Sequence, residues 1–197
     1  MPEGTLVLIA YATNEGQTAR IAGALAKQVE ANGHLASVLD LDDTATPPDL
    51  TAYDGIVVAA SVHAGKHQER AQRFVSDHRN ALHASTTAFL SVSLSAVAKE
   101  AEGQARADEQ IRLFLEATRW QPDFVEALGG AFRYSGFSRP WRAIIRLSQR
   151  LFRRQLEQQG WPDMTLDQEF TDWDALRRFG ERFCAKLPPA DSVPSRQ

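Results

Sequence analysis

Leu6-Val7-Leu8-Ile9-Ala10-Tyr11-Ala12-Thr13-Asn14-Glu15-Gly16-Gln17-Thr18-Ala19-Arg20-Ile21-Ala22 holds a strand, a turn and the start of a helix. Its first seven residues are apolar throughout instead of alternating, the pattern of a strand buried on both faces of a parallel sheet. The run stops at a turn of hydroxyl, amide and Gly residues, and a helical pattern follows at once. Such a turn aims backbone N–H groups, the Thr13 and Thr18 hydroxyls and the positive end of a helix dipole at one small volume. That volume suits a phosphate. The turn has neither the G-x-G-x-x-G of a dinucleotide fold nor the G-x-x-x-x-G-K-[ST] of a P-loop. Without a Lys to neutralise a triphosphate, a single phosphomonoester is the better match. The same residues also suit an ordinary strand–helix turn capped by Thr13 or Asn14.

Outward from this stretch, residues 16–32 read as a helix, with Ile21, Leu25 and Val29 recurring every four residues and Gly33 placed to end it. Residues 36–41 form a second strand and 42–51, with Pro47-Pro48, a loop. A third, wholly apolar strand covers 55–60, followed by a loop over 61–67 and a helix over 69–82. The fourth strand is 86–92. A polar stretch covers 93–103, a helix 108–117, and a fifth strand, weakened by Gly129-Gly130, 124–132. A basic helix over 138–158, a loop over 160–168 and a closing helix over 171–187 complete the pattern. Five strands alternating with helices specify the α/β class, a doubly wound parallel sheet. Residues 1–187 make one domain and 188–197 a disordered tail. In such sheets ligands sit beyond the carboxyl ends of the strands. The loops 13–18, 61–67 and 93–103 all leave those ends.

Composition narrows the classes. The chain has 197 residues, enough for one domain with a sizeable core. One cysteine, Cys184, excludes disulfide frameworks and cysteine metal clusters, and with His34, His78 and His83 it makes no metal-ligand pattern. No apolar run approaches the roughly 18 residues of a membrane span, and acidic Glu3 with a strand by Leu6 is unlike a signal peptide. A cytoplasmic protein is expected. The net charge of −3 conceals an asymmetry: residues 127–156 hold seven arginines and no acid, so the rest of the chain carries −10. Segregation of this kind suggests a surface for an anionic partner.

Several short motifs, weak alone but specific in order and spacing, span residues 6–183. They are Gly16-Gln17-Thr18 with Ile21-Ala22, Tyr53-Asp54, Ala60-Ser61 with Gly65, and Phe89 to Leu94. Phe114-Leu115, Trp120-Gln121-Pro122, Gly130-Ala131, Arg133-Tyr134 and Thr171-Asp172-Trp173 follow. On these the chain resembles the flavodoxin-like family and, within it, the bacterial menaquinone-dependent protoporphyrinogen dehydrogenases of haem synthesis. The resemblance implies a five-stranded sheet of order 2-1-3-4-5, with residues 133–168 as an added basic helical insertion. It implies FMN as cofactor, a tetrapyrrole as electron donor and a quinone as acceptor. Thr13, Asn14, Glu15, Gly16, Gln17 and Thr18 would hold the phosphate. Ser61, Val62, His63, Ala64 and Gly65, with Ser93, Leu94, Ser95 and Ala96, would flank the isoalloxazine.

His63 and His67 fall in the second of these loops. Imidazole there would stack on the ring or carry a proton, His63 being the candidate, or both would be solvated loop histidines. Around the basic helix, Trp141, Ile144, Ile145, Leu151 and Phe152 share a face with Ser148, opposite Arg142, Arg146, Arg150, Arg153 and Arg154. Either the apolar face packs on the sheet and the arginines are solvated, or the segment touches an anionic membrane or the substrate's carboxylates. Arg133, Arg139, Trp141, Arg142, Arg146 and Arg150 would make those contacts. No known fold or aromatic–basic array supports nucleic acid binding. An electron-transfer flavodoxin without its own organic substrate is the alternative, and a domain that has lost FMN a third reading, kept open by the acid Glu15 in the phosphate loop.

Overall fold

The computed structural model describes residues 5–43, 48–97, 101–136, 138–158 and 163–188. Parts of the expected 42–51 and 93–103 loops, and all but the first residue of the expected tail, lie outside them. Strand β1 (Leu6–Ala12) is an inner strand beside the edge strand β2 (Leu35–Asp40), so that Ile9 faces Val38 on one side and Val57 on the other. Strands β3 (Gly55–His63), β5 (Thr86–Ser93) and β6 (Phe124–Gly129) continue it, giving the order β2-β1-β3-β5-β6, all parallel. This is the expected 2-1-3-4-5 order once β4 (Lys66–His67), a short antiparallel return on β3, is set aside.

The apolar runs are continuous because both sheet faces are covered. Val7, Ile9, Val57, Ala59, Ala88 and Leu90 pack under Ile21, Leu25 and Val29 of α1 (Gln17–Ala31) and Leu176, Phe179 and Phe183 of α6 (Trp173–Lys186). Leu8, Ala10, Ile56, Val58 and Phe89 point the other way. They meet Phe74 and Val75 of α2 (Glu69–Asp77), Leu82 of α3 (Arg79–Ala84) and Phe114 of α4 (Ala101–Thr118). Each fully buried Leu, Val or Phe contributes about 1.5–3 kcal/mol. Cys184 is buried, among the α6 residues facing the sheet.

Four boundaries differ from the sequence reading. The expected 61–67 loop is a hairpin, because β3 runs on to His63 and turns at Ala64-Gly65 with φ of 49° and 80°. The 69–82 helix breaks at His78, whose ring nitrogen lies 2.8 Å from the Phe74 carbonyl. The 108–117 helix already runs from Ala101, where Ala101, Glu102, Gln104, Ala105, Arg106 and Ala107 favour helix and offset Gly103. The fifth strand divides at Gly130, where the chain leaves the sheet; β7 (Ala131–Phe132) pairs instead, antiparallel, with β8 (Gln168–Glu169). Gly129 is required at this junction: a Cβ there would stand 2.2 Å from the Phe170 carbonyl oxygen.

Of the two readings left open for helix α5 (Arg139–Gln158), the structure does not bear out the one in which its apolar face packs on the sheet. Trp141 is 58% exposed, Leu151 67% and Phe152 54%, and Ile144 and Leu147 are exposed as well. Among the α5 residues whose burial is described, the half-buried ones are Arg142, Ile145, Gln149 and Leu156, which at 100° per residue form the seam between the apolar and basic faces. No helix among the described residues is long and apolar enough to cross a membrane.

Candidate functional site

The phosphate-type loop joins β1 to α1. Thr13 Oγ1 accepts the Gly16 N–H at 3.0 Å, and Gly16 sits at φ 81°, ψ −5°, a left-handed position that costs an L side chain energy. No side chain caps α1, so neither Thr13 nor Asn14 plays the capping role that the ordinary-turn reading gave it. The first-turn N–H groups and the positive helix end therefore face the cleft above. Thr18 is fully buried at the start of α1, and its Oγ1 has no hydrogen-bond partner among the described residues. A buried hydroxyl left unpaired is unfavourable by itself and is explained by a ligand acceptor.

Arg70 holds the loop from the α2 side. It donates to the Thr13 carbonyl at 2.9 Å and Asn14 Oδ1 at 3.2 Å, and pairs with Asp42. From the other side Gln17 donates to Thr171 Oγ1 at 2.8 Å, and that hydroxyl donates to the Gly129 carbonyl at 2.9 Å. The loop is thus braced by segments more than fifty residues away, and Arg70 and Thr171 carry no local sequence signal for it.

The cleft at the carboxyl ends of the strands has a volume of about 220 Å³. Thr13, Asn14, Glu15, Gln17, Thr18, Ser61, Val62, His63, Ala64, Ser93 and Leu94 line it, bringing together all three loops named from the sequence. Gly16, Gly65, Ser95 and Ala96 adjoin this wall in sequence without lining it. Val92, Gly130, Ala131 and Phe132 complete the lining and were not anticipated. Phe132 is the important omission. With His63 it places two flat rings on a cleft suited to a planar heterocycle. Ser61 Oγ accepts from Gln68 Nε2 at 3.0 Å and Ser93 Oγ from the Ala96 N–H at 3.2 Å, which stiffens both walls.

His67 is neither solvated nor stacked in the cleft. It is buried with Nε2 2.9 Å from Ser91 Oγ, and its ring meets Phe89 and Phe114 edge-on, each at 5.1 Å. Burial pushes its pKa down to about 4, against an opposing hydrogen bond with the Gln110 backbone. It is a neutral core residue at neutral pH.

The basic segment begins where the cleft wall ends. Arg133 Nη2 lies 4.0 Å from where a Cβ on Gly16 would stand. Next along the chain, the buried Tyr134 ring carries the Arg142 and Arg146 guanidiniums at 5.7 and 5.6 Å. Arg146, Arg150 and Arg153 then line a groove with Asp163 and Thr165. Arg139 and Trp141 sit on the first turn of α5, away from the cleft wall.

Comparison with known proteins agrees with this geometry. A family model described as a flavodoxin domain matches residues 8–156. The protein named protoporphyrinogen IX dehydrogenase [quinone] of Escherichia coli K12 is 30% identical over 173 residues, 87% of this chain and 91% of that protein. The protein of the same name from Leishmania major is 30% identical over 190 residues, 96% of this chain and 78% of its own. Among solved structures, the oxidised flavodoxin 1 of Bacillus cereus superposes with a TM-score of 0.52 at 14% identity, covering 93% of this chain and all of that one.

Proposed function

This chain belongs to the flavodoxin-domain family, and we propose that it is an FMN-dependent oxidoreductase of haem biosynthesis that takes electrons from a protoporphyrinogen-type tetrapyrrole and passes them to a quinone. The observation that carries the cofactor assignment is the buried, unpartnered Thr18 Oγ1 at an uncapped helix N-terminus. A phosphomonoester supplies the acceptor that this hydroxyl and the first-turn N–H groups lack. The substrate and acceptor follow the relatives, which are similar over most of both chains.

When bound, FMN supplies the two-electron carrier. This chain's residues bind and orient it. Thr13 to Thr18 hold the phosphate, while His63 and Phe132 present ring faces to the isoalloxazine. His63, exposed at the cleft edge, is the candidate to take or give a proton. The basic side of α5, continuous with the cleft wall through Tyr134, offers Arg146 and Arg150 to the substrate's propionates. Its apolar side, with Trp141 and Phe152, contacts the surface of an anionic membrane, where a lipid-soluble quinone is met. The electron-transfer flavodoxin alternative is disfavoured by this basic segment beside the cleft, since a carrier with no organic substrate has no need of it.

An absorbance spectrum of the purified chain tests the cofactor, with flavin bands expected. Anaerobic addition of protoporphyrinogen should bleach them, and a quinone should restore them. A flavin-loaded chain that protoporphyrinogen leaves unbleached, while a general reductant bleaches it, would support the electron-transfer alternative.

A further inference from the structure

The phosphate loop contains a carboxylate, Glu15, and no cation, whereas a phosphomonoester is close to a dianion at neutral pH. Backbone N–H groups and hydroxyls can bind such a group, but the loop's own formal charge opposes it. Three arginines come near. Arg70 touches the loop, yet its guanidinium is held by the Thr13 carbonyl and Asn14 and is paired with Asp42. Arg20, in the first turn of α1, pairs with Glu169 at 2.6 Å and donates to Gln17 at 3.0 Å. Both cations face protein carboxylates.

Arg133 is placed differently. It follows β7, is exposed, and brings Nη2 to 4.0 Å from where a Gly16 Cβ would stand. Its acidic neighbour Asp167 feels the Arg133 charge, but takes its hydrogen bonds from Ser135, accepting the backbone N–H at 2.7 Å and the hydroxyl as well. We propose that Arg133 is the ionic partner of the flavin's 5′-phosphate, closing over the loop from the fifth-strand side. This rests on the cofactor reading above and deepens it. Two features meet at the two sides of this loop: the unpartnered Thr18 Oγ1, which lines the cleft, and the Arg133 guanidinium, which reaches Gly16 beside the cleft lining. A guanidinium suits the task because its planar fork matches two phosphate oxygens at once. The residue that selects a phosphorylated flavin then lies at the base of the basic insertion, more than a hundred residues from the phosphate loop.

The test compares FMN with riboflavin, which differs only in lacking the phosphate. Quenching of flavin fluorescence gives the dissociation constant of each for the wild-type chain, R133Q and R133K. R133Q should bind FMN at least tenfold more weakly and riboflavin unchanged, with R133K between. Raising the salt should weaken FMN binding to the wild type and have much less effect on R133Q, since the screened charge is gone. An FMN-to-riboflavin preference equal in R133Q and wild type would overturn the proposal and leave the cofactor reading intact. A wild-type chain binding neither flavin would overturn both.

Discussion

The β1–loop–α1 unit and helix α5 are both strongly patterned in apolar residues, yet the fold uses them in opposite ways. In the first, Val7, Leu8, Ile9, Ile21 and Leu25 are buried to within 1%. In the second, Trp141, Ile144, Leu147, Leu151 and Phe152 all remain more than half exposed. One unit turns its apolar surface into folding stability and thereby fixes a ligand loop. The other keeps its apolar surface outside, beside a row of arginines, where it contributes little to stability and is available to a partner. An apolar pattern therefore tells which element forms, and only the packing tells whether the fold consumes it.

The sharpest way to break this contrast is to truncate one phenylalanine from each side of it. Phe183→Ala, at a fully buried site under the sheet, should lower unfolding free energy by about 3–5 kcal/mol. Phe152→Ala should change it by less than about 0.5 kcal/mol. Urea melts of the two variants decide it; comparable losses would mean that α5 is part of the core.

Next in size is the buried His67. Its ring would take a proton on unfolding anywhere between its folded pKa of about 4 and its ordinary 6.5. Stability from the neutral form is therefore complete above pH 6.5 and lost as pH falls toward 4, by about 3 kcal/mol in all. Chemical denaturation at several pH values should show this slope in wild type and a flatter one in His67→Gln.

Thr18→Ala sharpens the ligand side of the contrast. It removes a hydroxyl that has no partner in the protein, so stability without flavin should hold or rise slightly. FMN affinity should fall by about 2 kcal/mol, the range for a hydrogen bond to a charged acceptor. Titration of the unloaded chain with FMN reads both halves.

The smallest effect concerns α5 and lipid. Phe152→Ser should weaken cosedimentation with anionic vesicles by about 1.5 kcal/mol while leaving the melt unchanged. Arg146→Gln should reduce the preference for anionic over zwitterionic vesicles by up to about 1 kcal/mol. Equal recovery of wild type with both vesicle types, or none with either, would leave α5 without a lipid partner.

Much of this molecule was legible before any coordinates. The uninterrupted apolar runs of β1 and β3 specified a two-sided parallel sheet, and the Thr13–Thr18 turn located the cleft, because both signals are local. What escaped was non-local or chemically quiet. The Ala64-Gly65 hairpin has Ala where a turn of two left-handed residues usually announces itself with Asn or Asp. His67, between Lys66 and Gln68, looks solvent-facing until Phe89 and Phe114 close over it. Phe132 reads as the end of a strand, but the chain leaves the sheet at Gly130 and carries that ring to the cleft. Nothing in the spacing of Arg70 or Arg133 shows that each reaches the phosphate loop. For α5, periodicity described the two faces correctly and could not say what would cover them.

The pairing of β7 with β8 has a consequence for how this chain could be cut and rejoined. Ala131 stands opposite Glu169 and Phe132 opposite Gln168, so the insertion leaves the body and returns to it at one point. The Ser135 N–H bonded to Asp167 at 2.7 Å extends that neck by a further contact. Everything between is a cassette hung on a two-stranded clip. Its ends already lie as close as those of a hairpin, so replacing residues 135–166 with a short turn adds little closure entropy. Such a deletion would retain Phe132 and Arg133 and discard α5 whole, separating the proposed grip on the cofactor from the exposed helix. A graft in the other direction, carrying residues 135–166 onto a relative without this segment at the same clip, would transfer α5 without Phe132 or Arg133.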